Sequence, residues 1–228
     1  VMVLAALAER GEKSALPEAL NAAKSADEPI RIAGLGALAR LGDASTVPVL
    51  VSALQTGGNT TAAARASLVR LDGAGVNEAV LSAMQGQTDM SRRAELIGII
   101  EGRGFAAAVP TLLPEALGDN SNVRRAAMRA LGRLAAPKDL ASMLQSLLKS
   151  SPGAERDDAE RAIASVCARV GEPSQQASAA LALYDKSSAT EKAILLPVLG
   201  RLGGPKAFEA VKAALASSDP ALSKAGEA

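Results

Sequence analysis

Asp157, Asp158 and Glu160 stand within four positions of one another, and three carboxylates at that spacing could ligate a divalent cation. The same residues fall before or within the first turn of a helix. There, negative charge complements the exposed N–H groups, and this reading accounts for them better than a metal does. Cys167, the single cysteine, occupies a position that is apolar in equivalent segments, so it reads as a small buried hydrophobe and not as a nucleophile. Tyr184 is the single phenol and histidine is absent. Without His, the Ser-His-Asp and Cys-His systems, zinc sites built on His and Cys, and His-Glu metal pairs are all out of reach.

Arginine is the remaining reactive type with a pattern. Arg40, Arg70, Arg133, Arg169 and Arg201 each precede the last residue of a recurring helix and form a basic edge. A cation in the last turn complements the helix dipole by roughly 0.3–1 kcal/mol. The same edge would also suit an acidic partner lying along it. Elsewhere the charges nearly cancel, at +1 overall, and no Lys/Arg run is interleaved with aromatics, so a nucleic-acid groove is not expected. No stretch has the length and apolarity of a membrane span. The opening apolar run Val1 to Ala8 lacks a preceding basic region and fits the repeat, so it does not read as a signal peptide.

These side chains must be carried by helices. Aromatics are reduced to Phe105, Phe208 and Tyr184, so a core has to be built from Leu and Ala packed between helices. Anchors at the end of a recurring helix, most of them just before a Gly, stand at Arg10, Leu41, Leu71, Arg103, Leu134, Val170 and Leu202, with steps of 30 to 36 residues. That is the length of one helical hairpin in a solenoid. Three residues before the anchors lie Leu7, Leu38, Leu68, Ile100, Leu131, Cys167 and Leu199, and seven before them Gly34, Ala64, Leu96, Ala127, Ile163 and Leu195. This spacing predicts one buried stripe on the second helix of each pair. Pro17, Pro48 and Pro110, seven past an anchor, suit the first turn of the next first helix, and Pro137, Pro173 and Pro205, three past an anchor, mark turns between pairs.

Segments such as Asp27-Glu28-Pro29-Ile30-Arg31 followed by Ala37-Leu38-Ala39-Arg40-Leu41-Gly42 resemble the second helix of a HEAT repeat of the bacterial HEAT-like type. The resemblance implies an all-α fold, a right-handed α-α superhelix of about six hairpins, forming a single HEAT-like domain over residues 1–228 that is truncated within a repeat at both ends. In that family an Asp in the turn and an Arg on the second helix form a ladder between repeats. It maps onto Asp27 with Arg31, Asp89 with Arg93, and Asn120 with Arg124. Thr61, Glu160 and Lys192 replace the Arg in the other copies, which would then be joined by packing alone.

In such solenoids the second helix lines the concave side, and its face opposite the core stripe is unusually poor in polar residues. It reads Ile32, Gly36, Ala39; Ala62, Ala66, Val69; Ala94, Gly98, Glu101; Arg125, Arg129, Gly132; Arg161, Ser165, Ala168; and Ala193, Pro197, Gly200. Small residues there permit tight curvature. They also suit a shallow groove that is dry at both ends and basic at Arg125, Arg129 and Arg161. The expected function is therefore a non-catalytic scaffold holding a protein segment or a neighbouring domain of the same polypeptide, through the groove (Ala66, Gly98, Arg125, Arg129, Arg161) or the Arg edge. No catalytic residue, metal or cofactor is assigned. The alternative is a catalytic or cofactor-handling solenoid of the bilin-lyase-like type, using acidic residues and Tyr184. A glycosylase-like reading lacks a Trp to hold a flipped base. One thiol leaves the compartment open, and the resemblance leans toward bacterial extracytoplasmic proteins.

Overall fold

A computed structural model describes residues 1–169 and 177–227. Val170 and Pro173, two of the punctuation residues named above, lie outside them. Contacts divide the chain into two compact units, Val1–Phe105 and Ala106–Ala228. Among the described residues there are helices and turns but no strand.

In the first unit a leading helix, α1 (Met2–Glu9), is followed by three pairs. These are α2 (Leu16–Ala23) with α3 (Glu28–Leu41), α4 (Val47–Ala53) with α5 (Gly58–Arg70), and α6 (Val76–Gln85) with α7 (Met90–Gly102). The second helices pack in sequence, α3 on α1 and α5, then α5 on α7, while α4 packs on α6 in a parallel layer. The second unit repeats the plan. It comprises α8 (Val109–Glu115) with α9 (Ser121–Leu134), α10 (Leu140–Lys149) with α11 (Ala154–Cys167), α12 (Ser178–Tyr184) with α13 (Ala189–Leu202), and α14 (Pro205–Leu215) with α15 (Pro220–Gly226). There α11 packs on α9 and α13, and α13 on α15.

The buried stripe is where the periodicity places it. Leu38, Leu68, Ile100, Leu131 and Leu199 are fully buried, as are Ala64, Leu96, Ala127, Ile163 and Leu195. Burying each large side chain stabilises the stack by roughly 1.5–3 kcal/mol before entropy is counted. Leu7 is half-buried. Gly34 is a core position for a different reason, since a Cβ there would lie 2.2 Å from the Ala23 nitrogen, so α2 and α3 touch through it. Pro17, Pro48 and Pro110 sit in the first turns of α2, α4 and α8, where a missing N–H costs nothing.

The Asp–Arg ladder takes another form. Asp27, Asp89 and Asn120 cap their helices, accepting from Ile30 N, from Ser91 N and Arg92 N, and from Asn122 N and Val123 N. The arginines instead donate to carbonyls at the end of the preceding helix. Arg31 reaches Ser25 O (2.7 Å), Arg93 reaches Gln85 O (3.0 Å), and Arg124 reaches Gly118 O (3.0 Å) and Asp119 O (2.8 Å). Arg31 and Arg124 also reach forward to the next second helix, at Thr60 Oγ1 (3.1 Å) and Glu155. Within the copies lacking the Arg, other contacts join the two helices of the pair. Thr61 donates to Leu54 O (3.0 Å), Arg156 donates to Ser150 O (2.9 Å), and the Lys192 ammonium sits 5.2 Å from the centre of the Tyr184 ring. Arg156 takes over from the expected Glu160 because α11 ends at Cys167, earlier than the Val170 register implies.

Candidate functional site

The outward face of α3, α5 and α7 is open in the first unit. Gly36, Ala62 and Ala66 are exposed, and Ile32, Ala39, Val69, Ala94, Gly98 and Glu101 are half-buried, as expected for positions opposite the core stripe. Between α1 and α3 this face dips into a depression of about 330 Å³, lined by Ala5, Pro29, Ile32 and Gly36 with Arg40 among its walls. Thus Arg40 of the Arg edge borders the same depression as Ile32 and Gly36 of the small-residue strip. Arg40 and Arg70 are exposed, and among the described residues their guanidinium groups make no ion pair or hydrogen bond.

In the second unit the basic centre is built around a carboxylate. Arg125 on α9 donates through Nε and Nη2 to Asp158 Oδ2 on α11, at 2.9 and 2.8 Å, and Arg161 donates to the other oxygen. Burial pushes the Asp158 carboxyl up, but the bonds and charges of Arg125 and Arg161 outweigh it and hold the group below its ordinary value. Arg129 and Arg133 are exposed on α9. Gly132 does not belong to the open face: it is buried, and a Cβ there would lie 2.9 Å from the Ala162 Cα, so it marks the closest approach of α9 and α11.

The Arg edge is not uniform. Arg169 donates to Gly132 O (2.9 Å) and Ala135 O (2.6 Å), so it satisfies carbonyls at the C-terminal end of α9 and ties α11 to it. Arg103 does the same in the first unit, donating to Leu68 O, to Leu71 O (2.7 Å) and to Asn77 Oδ1 (2.7 Å). Arg201 pairs with Glu160 at 3.2 Å. A second depression, about 300 Å³ between α13 and the α14–α15 pair, is lined by Pro197, Gly200 and Arg201.

The sequence pattern of HEAT repeats matches residues 1–69 and 77–164, most of the chain. The chain belongs to the HEAT-repeat family. The helix pairs within those residues are therefore HEAT repeats, and the chain is a helical-repeat scaffold. No curated protein sequence matches it. Among solved structures, the complex of CpcE and CpcF of phycocyanin lyase from Nostoc sp. PCC7120 is similar to it at 20% identity and a TM-score of 0.36, covering 98% of this chain and 86% of that one. A likeness of that size carries no inference about activity.

On the HEAT framework the residues with chemical potential are kept apart. Asp158 faces two arginines, Glu160 is buried against Arg201, and Asp157 is exposed. Burial pushes the Glu160 carboxyl above its usual value despite the opposing charge of Arg201. The Cys167 thiol is buried and pushed up to about 11 by that burial, which suits a packing residue. Among the described residues no three His, Cys, Asp or Glu side chains gather as a metal site would require. No helix among them is long and apolar enough to cross a membrane.

A cleft that sequence reasoning missed lies between α12 and α14. Its volume is about 900 Å³, and Tyr184, Asp185, Lys206 and Glu209 line it together with Gly203 and Gly204. The Gly-Gly-Pro run at residues 203 to 205 signals the turn but not the space beside it. Burial, then the charge of Asp185, pushes the Tyr184 phenol up, so it stays protonated at neutral pH.

Proposed function

We propose that this HEAT-repeat chain is a non-catalytic interaction module that holds a protein segment, or a neighbouring domain of its own polypeptide, against the outward faces of its second helices. One observation carries this reading. Arg40 and Arg70 stand exposed with no side-chain partner among the described residues, beside an apolar strip and a depression that Arg40 helps to wall. Fold stability explains neither well, because an exposed cation in a last turn contributes at most about 1 kcal/mol and exposed small apolar residues contribute little packing. A protein segment with apolar side chains for the strip and carboxylates for the arginines would use both.

Photo-crosslinkers at Ala66 on α5 and Arg129 on α9, set against crosslinkers at Gln85 on α6 and Lys149 on α10, test this in the native host. All four positions are exposed. The reading requires one discrete protein adduct from the second-helix positions that is weak or missing from the first-helix positions. Equal labelling from both layers would overturn it.

A second reading rests on the cleft beside Tyr184, where a phenol, two carboxylates and an ammonium line one space. It supports a cofactor-handling solenoid. Loss of a ligand or of turnover in Tyr184→Phe, with crosslinking unchanged, would favour it.

A further inference from the structure

Arg31 on α3 and Arg124 on α9 hold equivalent places, and their side chains make parallel sets of bonds with one difference. In each, Nη1 donates to two carbonyls of the preceding turn. These are Ser25 O (2.7 Å) and Ala26 O (3.1 Å) for Arg31, and Gly118 O (3.0 Å) and Asp119 O (2.8 Å) for Arg124. The other edge of the Arg124 guanidinium grips a carboxylate, Nε to Glu155 Oε1 at 2.6 Å and Nη2 to Glu155 Oε2 at 3.1 Å. This two-point match is the geometry in which Arg and a carboxylate bind most strongly.

The corresponding edge of Arg31 meets a hydroxyl instead. Nε donates to Thr60 Oγ1 at 3.1 Å, and among the described residues Nη2 has no partner. Thr60 stands in the register position of Glu155, since each lies one residue before the side chain that bonds its own turn, Thr61 and Arg156. The second unit therefore supplies an acid at this place and the first unit does not. A hydroxyl satisfies one donor but leaves the charge unpaired, and Arg31 makes no ion pair among the described residues.

There is room for the missing group. A depression of about 560 Å³ lies beside Arg31, between the end of α2 and α4. That falls in the range of small-ligand sites, roughly 300–1,000 Å³. Lys24 also lines it, exposed and with no side-chain partner among the described residues, and Ser52 and Thr56 add hydroxyls. Pro48 and Val49 form an apolar wall, and no Asp or Glu lines the space. Asp27 and Glu28 are near in sequence, but Asp27 caps α3 through Ile30 N, and neither pairs with Arg31 or Lys24.

We propose that this depression binds a carboxylate group, held by Arg31 Nη2 and the Lys24 ammonium, from a small organic acid or from an acidic side chain of a protein segment. None of its lining residues belongs to the small-residue strip, so the site stands apart from the interaction-module reading and its crosslinks.

Amide chemical-shift titrations of the chain with glutarate and with the peptide acetyl-Gly-Glu-Gly-amide test this, against the neutral glutaramide and the Gln peptide. The acids should give saturable shifts at Lys24, Ser25, Arg31, Ser52 and Thr56, and the amides should not. Tighter binding of glutarate points to a small acid, and tighter binding of the peptide to a protein segment; either supports the site. Thr60→Glu, which copies Glu155, should fill the site from within and lower affinity roughly tenfold or more, and Lys24→Gln should weaken it less. Circular dichroism checks folding, and Ser52→Glu, at an exposed position lining the same space, serves if Thr60→Glu does not fold. No saturable shifts with either acid, equal shifts from the amides, or unchanged affinity in the folded variants would overturn the proposal.

Discussion

Glu155 and Glu160 lie five residues apart on α11, both are buried, and their environments push them in opposite directions. Arg124 reaches Glu155 twice, Nε to Oε1 at 2.6 Å and Nη2 to Oε2 at 3.1 Å, and Ser151 N donates at 3.3 Å. Burial raises this carboxyl, but those bonds and the Arg124 charge bring it below its ordinary 4.5. The pair is 13% and 9% exposed and joins α9 to the start of α11. Breaking a buried pair by removing one partner costs about 3–5 kcal/mol. Arg124 keeps its two carbonyls, so Glu155→Ala should cost nearer 2–3 kcal/mol, and Glu155→Gln, which keeps an acceptor, about 1–2. For a chain of this length that is a fall of roughly 4–12 °C in Tm for the Ala variant.

The pH dependence separates the two residues. Glu155 is deprotonated more readily folded than unfolded, so its stabilisation is present above the unfolded value and is lost as pH falls through the folded one. The Glu155→Gln deficit should therefore shrink on acidification. Glu160 has a raised folded value, so the native state binds its proton first and stability declines as pH rises through that window. Glu160→Gln should then melt at or above the wild type near neutral pH, despite losing the Arg201 pair. Thermal unfolding across an acid-to-neutral series measures both. A Glu155→Gln variant as stable as wild type at neutral pH, or a deficit that does not change with acid, would refute the reasoning.

Gly132→Ala should lose about 1–3 kcal/mol in denaturant unfolding, because its methyl would press on the Ala162 backbone at 2.9 Å. Leu68→Ala should cost about 2–5 kcal/mol while Ala66→Glu, two residues away but exposed, costs less than about 0.5; similar melting of the two would put Ala66 in the core. Cys167 should react with thiol reagents at neutral pH only as fast as the chain opens, since burial holds its thiol near 11, and labelling at the rate of a free thiol would contradict that.

Much of the framework was legible because a helix that buries one stripe must repeat its apolar residues at helical spacing. Leu38, Leu68, Ile100, Leu131 and Leu199 were placed by that rule alone. The capping prolines followed from a missing N–H. The roles of the arginines were not legible. Arg169 and Arg103 cap the neighbouring repeat's helix while Arg40 and Arg70 make no such bond, and the difference depends on where a long side chain's reach meets a carbonyl of another helix. Asp158 was grouped by sequence proximity with Asp157 and Glu160, yet its partners, Arg125 and Arg161, are set by the packing of α9 on α11. Gly132 looked like one more small residue on an open face until the approach of Ala162 showed why nothing larger fits.

The account stands or falls on whether the second-helix faces bind protein. Photo-crosslinking in the native host, with the reactive group placed in turn at Ala66, Arg129, Gln85 and Lys149, addresses this position by position. The account predicts one discrete protein adduct from Ala66 on α5 and Arg129 on α9 that is weak or missing from Gln85 on α6 and Lys149 on α10. Equal labelling from both helix layers, or adducts from Gln85 and Lys149 alone, would contradict it.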